Sequence, residues 1–278
     1  MSKGTKDPET TNKKYKSGYV PVNGLDMYYE IHGKGQPLVL LHGAFSGIGT
    51  SFGRILPGLA KTRRVIAFEL QGHGRTADID RPLTVEGMAD DVAAALPQLG
   101  IEQADILGYS TGGAVALHFA TRHPGRLRKL VLMSIGYSLS GIHPGLMEGM
   151  GEMKPEMMYG SPFHEEYMRL APHPEDFARL FGKKTQMDRQ LKDFSDDAIR
   201  GIKAPVLLMI GDSDLIRPHP TRARGGDVPS AGRRCLRGHS CRSAEFTTGH
   251  TPWYIAHIHC RSCGLAGFDD QFVPRRAR

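Results

Sequence analysis

Cysteine is almost missing from this chain. Its 278 residues hold four, Cys235, Cys241, Cys260 and Cys263, with none before position 235. A disulfide framework is therefore not expected, and a reducing, cytoplasmic setting is the default. No run of about 18 apolar residues exists, which excludes a helical membrane span. The opening MSKGTKDPETTNKKYKS lacks an apolar stretch, so residues 1–17 read as a short disordered tail rather than a secretion signal. Lysine is absent from the other end: all 13 precede position 218. Leu, Ile, Val and Met are scarce there too, with only Val228, Leu236, Ile255, Ile258, Leu265 and Val273 between 218 and 278.

The net charge of +7 is as unevenly spread. Residues 1–217 carry 26 Lys and Arg against 25 Asp and Glu; residues 218–278 carry 10 against 4. A basic balance can mark a nucleic-acid or membrane-surface partner. Here no aromatic or helical patterning goes with it, and neither partner is expected.

What is present is an alternation of strands and helices. Residues 18–32 show two alternating runs around Asn23-Gly24, the pattern of a β-hairpin. Short apolar runs at 37–41, 65–70, 104–108, 130–133 and 205–210 suit buried parallel strands. Helical spacing occupies 51–59, 84–99 with Thr84 as its cap, and 111–123 before Pro124-Gly125. This order implies a mostly parallel sheet covered by helices on both faces. Residues 138–200 break it. They are rich in Gly, Pro and Met (Met147, Met150, Met153, Met157, Met158, Met168), and a short amphipathic helix fits 174–182. This stretch reads as a helical cap over the C-terminal sheet edge. Its methionines are core filler or an adaptable apolar lining. The core is then 18–137 plus 201–217.

Three motifs carry chemistry. Gly108-Tyr109-Ser110-Thr111-Gly112 stands between an apolar strand and a helix, the context of a G-x-S-x-G nucleophile elbow. Small residues two before and two after the serine permit a sharp turn, and the helix N-terminus aims free N–H groups at the reacting centre. His42-Gly43-Ala44-Phe45 follows the 37–41 strand. Backbone N–H groups of Ala44 and Thr111 could form an oxyanion hole. His42 itself reads as a buried structural imidazole. Gly211-Asp212-Ser213-Asp214 follows the 205–210 strand; Asp214 could orient a histidine, with Asp212 capping the turn.

Together these motifs resemble the α/β-hydrolase superfamily, in its small esterase-like branch, over about residues 18–217. Gly72-His73-Gly74-Arg75-Thr76 is similar to that family's G-H-G-x-S turn, with Thr in the last place. The resemblance implies an α/β-hydrolase fold and the chain order Ser110, Asp214, then a later histidine. It implies no metal and no organic cofactor. The substrate expected is a small-molecule ester with apolar groups. Oxidation by a perhydrolase or haloperoxidase, carbon–carbon hydrolysis, or ligand binding without turnover would fit the same motifs.

The histidine is where the sequence departs from the family, which calls for a further strand, a His loop and a terminal helix. No convincing strand or amphipathic helix is legible in 218–278. Three readings stand. In one the stretch is native, and His250, in Thr248-Gly249-His250-Thr251-Pro252, completes the triad; His239, His257 and His259 are weaker candidates. In the second, Cys235, His239, Cys241, His257, His259, Cys260 and Cys263 hold zinc, although only Cys260 and Cys263 have finger-like spacing. In the third the stretch is translated out of frame. Permitted codons for 264–278, read one nucleotide later, can encode Ala-Trp-Leu-Ala-Leu-Met-Ile-Ser-Ser-Phe-Leu-Asp-Ala-Pro, a peptide like the family's terminal helix.

Overall fold

The computed structural model describes residues 15–143, 149, 152–211 and 214, and the backbone of 231–234, 240–248 and 251–258. The chain begins with the expected hairpin, β1 (Lys16–Val22) and β2 (Leu25–His32). Asn23 and Gly24 both take positive φ, 47° and 82°, as a two-residue hairpin turn of this twist requires. The apolar runs become β3 (Gln36–Leu41), β4 (Arg63–Phe68), β5 (Ala104–Tyr109), β6 (Leu127–Met133) and β7 (Val206–Gly211). Strand β4 starts two residues before the apolar run and stops before Glu69, and β6 starts three before it.

The stretch expected to be one helix over 51–59 is two short ones, α1 (Ile48–Phe52) and α2 (Leu56–Leu59), broken around Gly53. The next two match expectation: α3 (Val85–Gln98), capped by Thr84 Oγ1 accepting from the Gly87 N–H at 3.0 Å, and α4 (Thr111–Arg122). Among its described residues the cap holds short 3-10 turns and the helices α5 (Pro162–Leu170), α6 (Phe177–Arg189) and α7 (Asp196–Gly201). The helix placed at 174–182 is in fact a turn at Pro174–Asp176 leading into the longer α6.

The expectation of no strand beyond 217 needs correcting. The backbone forms β8 (Ala231–Arg234), β9 (Ser240–Thr248) and β10 (Thr251–Ile258). Trp253, Tyr254 and Ile255 give β10 the bulky strand-forming residues that a count of Leu, Ile, Val and Met passes over. The sheet runs β1-β2-β4-β3-β5-β6-β7-β10-β9-β8. From β4 to β10 every pairing is parallel, and the outer strands are antiparallel. The parallel strands therefore end at one common edge.

The core lies on both faces of these strands. Ile66, Phe68, Ile106 and Leu132 join α3 and α4 residues such as Val92, Leu96 and Phe119 on one side; Leu40, Val65 and Leu107 meet Phe52, Ile55 and Leu59 on the other. No helix among the described residues is long and apolar enough to cross a membrane.

Candidate active site

The site is assembled at the edge where the parallel strands end. Ser110 joins β5 to α4 with φ 51° and ψ −117°, a left-handed conformation that side chains rarely adopt. Backbone bonds on both sides hold it. The Ser110 N–H donates to the Met133 carbonyl at 2.9 Å, and the Ser110 carbonyl accepts from Gly113 at 2.8 Å and Ala114 at 3.1 Å. Close packing explains the flanking glycines. A Cβ on Gly112 would overlap the Leu41 and His42 carbonyls, and one on Gly108 would stand 2.7 Å from the Gly113 Cα. The expected elbow geometry is thus present, and Ser110 is half-buried at its apex.

The Gly43–Ser51 loop lies against this elbow. A Cβ placed on Gly43 would be 3.5 Å from the Ser110 Cβ and 3.1 Å from the Tyr109 ring. Ala44 follows in the turn, and Phe45 takes φ 56°. Among the described residues no carbonyl or side chain accepts from the Ala44 N–H. Thr111 is the first residue of α4, so its N–H has no partner within the helix. Neither N–H thus has a backbone acceptor among the described residues.

Two buried histidines support the loop. His42 accepts the Leu70 N–H on Nε2 at 2.9 Å, so its Nδ1–H donates to the Gly43 carbonyl at 2.8 Å. Burial drives its pKa down from 6.5 to about 4, and the ring is neutral. It is a structural imidazole, as its sequence context implies. His73 lies 5.0 Å from it, ring to ring; burial, then the His42 neighbour, pushes it to about 3. In the 72–76 turn Thr76 takes the place of the family's serine. Its hydroxyl donates to the Glu69 carbonyl at 2.6 Å and accepts the Tyr28 N–H at 2.9 Å.

The cap closes over the loop. Phe45 stacks on Phe181 at 5.1 Å between ring centres, with Phe177 at 6.1 Å. Lys183 of α6 reaches across to the Ile79 and Arg81 carbonyls at 2.7 and 2.9 Å and to Asp78 at 2.7 Å. Of the cap methionines, Met158 is buried, Met153 is packed against the core, and Met157 and Met168 are exposed; Met147 and Met150 lie outside the described residues.

The rest of the expected triad divides. Asp214 follows β7 at the same sheet edge, its N–H donating to the Gly211 carbonyl at 3.1 Å. Asp212 and His250 lie outside the described residues. Thr251, next to His250, opens β10 at the edge away from Ser110, because β10 runs parallel to β7 with Trp253 opposite Val206 and Ile258 opposite Gly211. Near the end of β10 that shares Ser110's edge stands the backbone of His257, next to last in the strand and opposite Ile210. No group of three or more His, Cys, Asp or Glu among the described residues could hold a metal; the side chains of the proposed zinc ligands lie outside that description.

A parallel sheet with a strained serine at the apex of a strand-to-helix turn defines a hydrolase of the α/β class. Residues 36–198 match the family described as alpha/beta hydrolase fold, and the chain belongs to it. It is 31% identical over 221 residues to a 2-hydroxymuconate semialdehyde hydrolase of Pseudomonas sp. (strain CF600), covering 68% of this chain and 74% of that protein. It is 30% identical over 228 residues to a 2-hydroxy-6-oxo-2,4-heptadienoate hydrolase of Pseudomonas putida, covering 74% and 82%. In fold it is similar to the meta-cleavage product hydrolase CumD of Pseudomonas fluorescens, with a TM-score of 0.57 at 22% identity over 73% of this chain and 82% of that one.

Proposed function

We propose that the chain is a serine hydrolase that cleaves carboxylic esters of small apolar molecules through an acyl-enzyme. The observation that carries this is Ser110, held at φ 51° between β5 and α4 beside the Gly43–Ala44 turn. In this reading Ser110 Oγ attacks the ester carbonyl, and a histidine takes its proton. The Ala44 and Thr111 N–H groups bind the oxyanion. As the C–O bond breaks, the proton passes to the leaving alcohol. Water then attacks the acyl-serine and gives its proton to the histidine; as the acyl C–Oγ bond breaks, that proton returns to Ser110 Oγ and the acid is released. Asp214 holds that imidazole. His250 is one proposed base. The register of β10 favours a histidine at the strand's other end, where His257 stands. Alanine substitution at each position in turn separates them.

A fluorophosphonate tests the nucleophile. Label on Ser110, with turnover of p-nitrophenyl acetate, supports the reading; a folded chain that takes no label overturns it.

The two relatives favour a second reading. Both are named as hydrolases of unsaturated oxo compounds, so the same serine edge could serve hydrolysis of a carbon–carbon bond beside a ketone. Parallel assays with p-nitrophenyl acetate and 2-hydroxy-6-oxo-2,4-heptadienoate decide between them by the larger kcat/KM.

A further inference from the structure

The cap contributes one buried carboxylate that the chemistry above does not use. Glu166, on α5, is 6% exposed. Among the described residues no Lys, Arg or His forms an ion pair with it. A buried carboxylate without a cation needs hydrogen-bond donors, and Glu166 finds them in the Gly43–Ser51 loop. Its Oε2 accepts the Gly47 N–H at 2.8 Å and the Thr50 hydroxyl; its Oε1 accepts the Thr50 N–H at 3.1 Å.

The loop is shaped for this guest. A Cβ on Gly47 would stand 3.1 Å from Oε2, and one on Gly49 would collide with Oε1. From the same turn a short relay runs back to the serine edge. Ser46 Oγ donates to the Gly43 carbonyl at 2.8 Å and meets Ser51 Oγ at 2.7 Å, and Ser51 Oγ accepts the Gly43 N–H at 3.3 Å. Both polar backbone groups of Gly43, the residue before Ala44, are thus held by the segment that Glu166 clamps.

We propose that Glu166 is a positioning residue that, through Gly47 and Thr50, fixes the 43–51 loop so that the Ala44 N–H faces the developing oxyanion. This rests on the oxyanion role given to Ala44 above. A donor that acts only on the transition state changes kcat and leaves KM nearly alone. A residue that merely stabilises the cap, or shapes its substrate cavity, does not give that split.

The test uses the full chain as wild type, Glu166→Ala and Glu166→Gln. One readout is p-nitrophenyl acetate kinetics; the other is hydrogen–deuterium exchange of the 43–51 amides. Displacing one oxyanion donor should cost less than deleting it, so Glu166→Ala is expected to lower kcat about 30-fold with KM within about twofold. Exchange in 43–51 should rise about tenfold, because the Thr50 amide loses its carboxylate acceptor and the Gly47 amide keeps only the Thr50 hydroxyl. Glu166→Gln keeps one acceptor oxygen and should return kcat to within about fivefold of wild type. An unchanged kcat, or a loss confined to KM, overturns the proposal. If Glu166→Ala does not fold, Thr50→Val removes the hydroxyl that donates to the carboxylate and accepts the Gly47 N–H, and unchanged kcat and exchange there overturn it equally. A wild type that neither turns over nor labels at Ser110 strikes the oxyanion reading instead; the exchange readout then still decides whether Glu166 holds the loop.

Discussion

The turn at Ser110 and the Gly43–Ser51 loop meet at one sheet edge, but they are held by different means. The serine turn depends on residues within a few positions of it and on the strands beside it: Gly108, Gly112, Gly113, and the Met133 carbonyl. The loop depends on the cap, through Glu166, which lies 119 positions after Gly47 and 116 after Thr50. One half of the site is therefore built by the core alone, and the other is held by the core at Gly43, through His42, and by the cap at Gly47 and Thr50. A cap so placed can couple its own state to reactivity without touching the reacting atoms.

The largest expected effect tests the first half alone. Ser110→Ala should lower kcat by about 10⁴-fold or more and abolish fluorophosphonate labelling, with thermal stability unchanged or raised as the strained position is relieved of function. Full turnover by this variant would remove the serine from the mechanism.

Next comes the packing beneath it. Gly112→Ala would push a methyl group into the Leu41 and His42 carbonyls, both of them backbone atoms of a central strand and its exit, which have no room to yield. A loss of about 3 kcal/mol in urea unfolding is expected, with loss of activity. A variant of native stability would mean that the elbow is more pliable than its contacts imply.

Protonation offers a third way to separate the two loops. His42 bridges Leu70 to Gly43, and His73 packs on it. Both pKa values fall on folding, from 6.5 to about 4 and about 3. The unfolded chain therefore takes up protons first as pH drops. This stability is complete above about pH 6.5, fades as pH falls through the window down to about 3, and is gone below the folded values. Urea unfolding should lose of the order of 3 kcal/mol between pH 7 and pH 5 from this pair. A flat profile over that window would show that both rings are solvated, and half the loss that one is. Protonation of His42 adds a hydrogen at Nε2 and leaves the Nδ1–H bond to Gly43 in place, so the Leu70 N–H loses its acceptor and its protection, relative to intrinsic exchange, should fall with acid.

The contrast also marks how far the sequence could be read. The hairpin at Asn23-Gly24, the cap at Thr84 and the elbow at Ser110 were legible because each depends on neighbours in the chain. The strand at β10 was not legible. Its strand-forming residues are Trp253 and Tyr254 as much as aliphatic ones, and in the sequence it is set among arginines, glycines and histidines. Glu166 was not legible either. On α5 it sits in Pro-Phe-His-Glu-Glu-Tyr, where a glutamate reads as part of a solvated face. Nothing in the sequence near Gly47 and Gly49 says that a distant carboxylate fills the space beside them.

The smallest effect is the most discriminating. Gly49 is exposed at the start of α1 and has ordinary helical surroundings, so alanine there should be neutral or slightly stabilising by its propensity alone. Its Cβ, however, would collide with Glu166 Oε1. The carboxylate must then withdraw from the Thr50 N–H while the Gly47 bond to Oε2 survives in part. Gly49→Ala should thus lower kcat only about fivefold, with the melting temperature within a few degrees of wild type. Combined with Glu166→Ala, it should cost nothing further, because the group it displaces is already gone; additive losses would place its effect elsewhere. Non-additivity at these two positions, set against full additivity between Gly49→Ala and a serine-side change such as Thr111→Ala, would separate the cap-held half of the site from the core-held half by measurement.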